Sequence, residues 1–126
     1  MMSLYDEWVE KGIKDLDTAK LILDSEKEFY DQVCFLCQQS IEKLLKAYLV
    51  KHNKGISKTH DLMKLTMDCV EINPGFASWQ KAAISLTTYA VDFRYPGESA
   101  SKEESLDSFA LAEKYSKFIL TELKTN

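Results

Sequence analysis

Arg94, in the run TYAVDFRYPGE over residues 88–98, is the only arginine in a chain whose other fifteen basic side chains are lysines. A guanidinium offers a planar fork of donors that can grip a carboxylate or phosphate through two parallel hydrogen bonds. Arg94 stands where a helical pattern meets Tyr95, Pro96 and Gly97. There it has three roles open to it: pairing with Glu42 or Asp92 in the resting protein, meeting an anionic ligand, or pinning the fourth helix to the second.

A second chemical constellation precedes it. From Lys43 to His60 the charged side chains are Lys43, Lys46, Lys51, Lys54 and Lys58, with no carboxylate among them. Lysines near a helix C-terminus complement its dipole and solvate the surface. The same residues would also serve as an anion site for a phosphate or an RNA backbone, more so if Arg94 folds toward them. Gln39, Glu42, Lys43 and Lys46 recur at helical spacing on one face. A Glu42–Lys46 pair there is either an ordinary surface ion pair or part of a half-buried network that orients another group, such as Arg94. His60 reads as a helix-start residue or as a contact to phosphate or base.

Redox and metal chemistry find less support. Cys34-x-x-Cys37 lies inside a helical pattern, where both thiols fall on one apolar face; a redox motif belongs at a helix start beside a sheet. His52 and His60 lack further ligands at coordinating spacing. No metal or other cofactor is expected.

The elements that must position these residues are helices. At 126 residues, 45% hydrophobic and 29% charged, the chain has the size and composition of one globular domain spanning residues 1–126. The net charge of −4 argues against a general nucleic-acid clamp while allowing a local basic site. The start, MMSLYDEWVEKGIKD, has no apolar run for a signal peptide or membrane span, so no membrane association and a cytoplasmic location are the default expectations. Three cysteines in apolar-periodic segments predict reduced thiols.

Four glycines and two prolines mark the breaks. A first helix is predicted from Ser3 to about Ser25, with Ser3 as N-cap and a stripe of Leu4, Trp8, Leu16, Ala19 and Leu23. A second runs from about Asp31 to Lys54 and stops at Gly55 as a left-handed cap. Its stripe is Cys34, Cys37, Ile41, Leu44 and Tyr48, widened by Val33, Leu45 and Leu49, and it reads as the central helix. A third spans Thr59 or His60 to Glu71, capped by Thr59. The fourth begins near Phe76, carries Ala83, Leu86, Ala90 and Phe93 inward, and ends at Arg94 and Tyr95 before Pro96. Ser101 and Glu104 form a capping box for the fifth, whose stripe is Leu106, Phe109, Ala110, Ile119 and Leu123. No run alternates with a strand's period of two, so the fold class is all-α, an up-and-down bundle of about five helices.

With these elements in order, QQSIEKLLKAYLV at residues 38–50, KTHDL at 58–62 and YAVDFRYPG at 89–97 together resemble the HEPN domain family. The resemblance implies a small helical domain, usually dimeric, often encoded beside or fused to a minimal nucleotidyltransferase. In related toxin–antitoxin pairs the HEPN member is commonly a metal-independent ribonuclease using an arginine followed four to six residues later by a histidine. Here Arg94 is followed by Tyr-Pro-Gly-Glu-Ser-Ala-Ser, and both histidines precede it. The ribonuclease motif is absent, and the RYPG pattern looks more like a nucleotide- or partner-binding branch.

The leading expectation is therefore a non-catalytic accessory protein that binds a nucleotide or a nucleotidyltransferase partner through Lys43, Lys46, Lys58, His60, Arg94 and Tyr95. Gln39, Glu42 and Asp92 would form the supporting network. The alternatives are a ribonuclease with an unconventional His60–Arg94 site, and a structural dimer module. A homodimer is also expected, because Phe29, Tyr30, Phe35, Leu36, Leu49, Val50, Trp8 and Trp79 are more apolar surface than one small bundle conveniently covers.

Overall fold

The structure, a computed structural model, describes residues 1–92 and 95–125. Five α-helices form an all-α bundle: α1 (Leu4–Leu23), α2 (Tyr30–Lys51), α3 (Leu62–Val70), α4 (Gln80–Asp92) and α5 (Lys102–Leu123). A 3-10 turn, Pro74–Trp79, leads into α4. No described helix is long and apolar enough to cross a membrane.

The helix at the centre is α2, which packs against all four other helices. Its whole expected stripe is buried: Val33, Cys34, Cys37, Ile41, Leu44, Leu45, Tyr48 and Leu49. Because polar residues such as Ser40 are buried there as well, α2 is enclosed on more than one side. A methyl-free position helps α1 come close. Ser40 Oγ donates to the Gly12 carbonyl at 2.7 Å, bringing the two backbones together where a larger residue would intrude.

Local chemistry sets the helix ends. Ser3 accepts from the Asp6 N–H, and Ser101 and Glu104 close a reciprocal capping box. Helix α2, however, ends three residues before the expected position. Its left-handed residue is Asn53 at φ 56°, not Gly55, because asparagine tolerates that conformation. The Lys54 N–H then bonds the Leu49 carbonyl and the Asn53 N–H that of Val50, a Schellman closure that satisfies the last carbonyls. Helix α3 also starts later than predicted. Asp61, rather than Thr59, caps it by accepting from the Met63 N–H, while Thr59 accepts from the Asp61 N–H one step earlier. His60 thus sits in the loop and not in the helix.

The inward face of α5 differs from the expected stripe. Ser105, Ser108, Ala112, Tyr115, Ser116, Ile119 and Leu123 face the core, while Leu106 and Ala110 are exposed and Phe109 is only half-buried. Small residues let α5 approach α2. Similarly, Leu4 on α1 is exposed. Of the apolar side chains expected to need cover, Leu49 is buried and Trp8, Trp79 and Leu36 pack against the core, leaving Phe29 and Phe35 exposed. An aromatic cluster of Phe76, Trp79, Tyr115 and Phe118 joins the 3-10 turn to α5, with Trp79 stacked on Tyr115 at 4.8 Å.

Candidate functional site

Glu42, in the middle of α2, gathers the side chains of Gln38, Lys46 and His60. Its Oε2 accepts from Lys46 Nζ at 2.9 Å, one turn along the helix. Its Oε1 accepts from Gln38 Nε2 at 3.2 Å and faces His60 Nδ1 at 2.9 Å. Gln38 uses its second amide proton on the His60 carbonyl, 2.7 Å away, and its own oxygen accepts from Gln39 Nε2 at 2.8 Å. Every strong valence of the amide is met, as a buried polar network requires.

The electrostatics follow from that arrangement. Burial raises the Glu42 carboxyl, but hydrogen bonds from Lys46, His60 and Gln38, with the Lys46 charge, outweigh it and hold the group below its usual range. Lys46 is itself buried, with its ammonium 5.7 Å from the centre of the Trp8 ring, a cation–π placement. The expected face of Gln39, Glu42 and Lys46 is thus an internal network, and the group it orients among the described residues is His60.

Two of the other lysines find carboxylates that lie far away in sequence. Lys43 pairs with Asp15 of α1 at 2.6 Å. Lys54 pairs with Glu71 and reaches the Asp68 carbonyl, while Lys51 donates to the Leu123 and Thr125 carbonyls at the end of α5. Of the lysines expected to form a basic patch over residues 43–58, Lys43, Lys46 and Lys54 are therefore paired with carboxylates, those of Lys43 and Lys54 brought by folding from α1 and from just after α3. Lys58 lies exposed in the loop two residues before His60.

Asp92 and Tyr95 are brought together elsewhere. With Val91, Glu98 and Glu104 they line an open cavity of about 590 Å³ at the end of α4. Arg94 lies outside the described residues, as does Phe93. The two regions are linked through α4: Thr87, one turn before Val91, accepts from the Leu62 N–H at 3.3 Å, fixing the start of α3 just after His60. Further anchors hold the cavity wall. Tyr89 donates to Asp107 at 2.6 Å, and the Ala100 N–H donates to Asp31 at 2.6 Å.

Gln38 and Thr87 are the site residues that sequence reasoning missed. Gln38 stands beside Gln39 in the motif run, so only its internal position on the helix distinguishes the two. Among the described residues no group of three or more His, Cys, Asp or Glu side chains is placed to hold a metal ion. The cysteines are inert by position. Cys34, Cys37 and Cys69 are free and buried, and burial pushes their thiols up to about 11, 12 and 12 respectively.

The HEPN domain model matches residues 5–123. Two solved structures share the fold. Protein TT1696 from Thermus thermophilus superposes with a TM-score of 0.77 at 24% identity, over 95% of this chain and 98% of its own. ST0689, an archaeal HEPN homologue, gives 0.79 at 21% identity, over 98% of this chain and 100% of its own. No curated protein matches the chain significantly.

Proposed function

The chain belongs to the HEPN domain family, and from that membership we propose that it is a non-catalytic accessory protein, cytoplasmic and homodimeric, that binds a nucleotide, a minimal nucleotidyltransferase partner, or both, in a system of toxin–antitoxin type. The observation that carries this reading is the state of His60. Its side chain is 79% exposed while the Glu42 carboxylate that braces it is 5% exposed. A polar group fixed from behind and open in front is preorganised for a ligand, since little freedom is left to lose on binding.

Arg94 and Tyr95 supply the second half of the proposed site, with Asp92 beside them. Lys58 is the lysine best placed for direct contact, because it is exposed in the same loop as His60. Lys43 and Lys46 would act indirectly, by holding α1 and Glu42 in place. The absence of any histidine after Arg94 in the sequence favours binding over ribonuclease chemistry.

Calorimetric titration of the purified protein with ATP, other nucleotides and a nucleotidyltransferase encoded next to it tests the reading. Binding that is lost in Arg94→Ala and weakened in His60→Ala is the expected result. No binding to any of these, or binding indifferent to Arg94→Ala, would overturn it.

A further inference from the structure

We propose that His60 presents Nε2 as a fixed hydrogen-bond acceptor, so that it grips the nucleoside part of a nucleotide through a hydroxyl or amino donor and does not hold the phosphates. This rests on the nucleotide-binding reading above and specifies which end of the ligand this residue recognises.

The assignment comes from following the protons outward from α2. A carboxylate can only accept, and Glu42 Oε1 stands 2.9 Å from His60 Nδ1. The hydrogen between them therefore belongs to Nδ1. Its partner carboxylate is secured in the ionised form by Lys46 on the other oxygen and by Gln38 on the same one. A neutral imidazole carries one ring hydrogen, so the remaining nitrogen, Nε2, keeps a lone pair.

The ring has little freedom to turn. Gln38 holds the His60 main chain through its carbonyl at 2.7 Å, while Glu42 holds the ring. Both anchors come from the rigid interior of α2, one turn apart, and the Thr87 hydroxyl fixes the main chain two residues further on. With Nδ1 committed inward, the exposed part of the ring offers an acceptor to solvent. A phosphate oxygen is also an acceptor and gains nothing from that atom when the ring is neutral. A ribose hydroxyl or an exocyclic amine does. Glu42 is thus a positioning residue, setting the tautomer of the residue that meets the ligand.

Two measurements on the full chain test this. Long-range proton–nitrogen NMR of the ¹⁵N-histidine-labelled protein at about pH 8, above the ordinary histidine range, is expected to show His60 protonated on Nδ1; the opposite tautomer overturns the inference. Titrations with ATP, 2′,3′-dideoxy-ATP, inosine triphosphate and pyrophosphate then identify the donor. Loss of about tenfold in affinity on removing the ribose hydroxyls, or on replacing the amine by a carbonyl, is expected, the size of one hydrogen bond. His60→Ala should lose the same factor for ATP and nothing for pyrophosphate, while His60→Gln, whose amide oxygen can stand near Nε2, should recover part of it. If both analogues bind as ATP does, or if pyrophosphate binding falls in His60→Ala, the inference fails while the accessory-protein reading stands. If no nucleotide binds at all, the inference fails, and the accessory-protein reading then stands or falls on the nucleotidyltransferase titration.

Discussion

Glu42 and Lys46 form an ion pair one turn apart on α2, with 2.9 Å between Oε2 and Nζ and side chains only 5% and 11% exposed. Two charges withdrawn from water this far persist because their other valences are met, by Gln38 and His60 on one side and the Trp8 face on the other. Removing one partner should therefore cost much more than removing both. Glu42→Ala is expected to lose about 3–5 kcal/mol, the cost of stranding a buried charge. The double variant Glu42→Leu with Lys46→Met should recover most of it. Urea unfolding measures both, and a double variant no more stable than Glu42→Ala would contradict the buried-pair account.

The same carboxylate gives stability a pH dependence with a definite sign. Its folded value lies below the usual range despite burial, and the unfolded chain titrates near 4.3. The stabilisation is therefore fully present above about pH 4.3 and is lost as pH falls through the lower folded value. Melting temperatures from pH 7 to pH 3 should fall less steeply in Glu42→Gln than in the parent protein. Parallel curves would show that the Glu42 network contributes nothing to acid sensitivity.

Burial of all three thiols, with values pushed up to about 11 for Cys34 and about 12 for Cys37 and Cys69, leaves almost no thiolate at neutral pH. A thiol-exchange reagent at pH 8 should label none of them in the native protein within minutes and all three after denaturation. Rapid native labelling of Cys34 or Cys37 would reopen a redox role for the Cys-x-x-Cys pair.

The bundle was legible in the sequence where apolar stripes and caps speak locally, as in the α2 stripe from Val33 to Leu49 and the Ser101–Glu104 box. It was less legible where a polar residue satisfies itself. Ser105 and Ser116 donate to the Lys102 and Glu113 carbonyls of their own helix, so they can face the core without another partner, and Leu106 turns outward in their place. Pairing across the fold was hidden for a different reason. Lys43 meets Asp15 and Lys54 meets Glu71 across 28 and 17 residues of chain, so a count of neighbouring charges overstated the basic patch. The Glu42–Lys46 spacing was visible, but its burial depends on Trp8 of α1, and the capture of His60 depends on where the loop after α2 returns.

The close approach of α1 to α2 leads to the last prediction. A Cβ built on Gly12 would lie 3.0 Å from the Leu44 Cγ and Cδ2 atoms and 3.1 Å from the Ser40 carbonyl oxygen. Two effects oppose each other in Gly12→Ala. Alanine improves helix propensity by up to about 1 kcal/mol, whereas overpacking a filled interface costs about 1–3 kcal/mol. The Ser40 contact decides between them, because a helix carbonyl cannot swing aside as a side chain can, and the Ser40 hydroxyl also ties that residue to the Gly12 carbonyl at 2.7 Å. Net destabilisation of about 1 kcal/mol is expected, the excess of a mid-range overpacking cost over the propensity gain. Gly55 provides the control, since a Cβ there meets nothing within 4 Å, so Gly55→Ala should be neutral or slightly stabilising by reducing the freedom of the unfolded chain. Thermal unfolding of the two variants compares them directly, and a Gly12→Ala protein that melts as high as Gly55→Ala would show that the α1–α2 contact has room to spare.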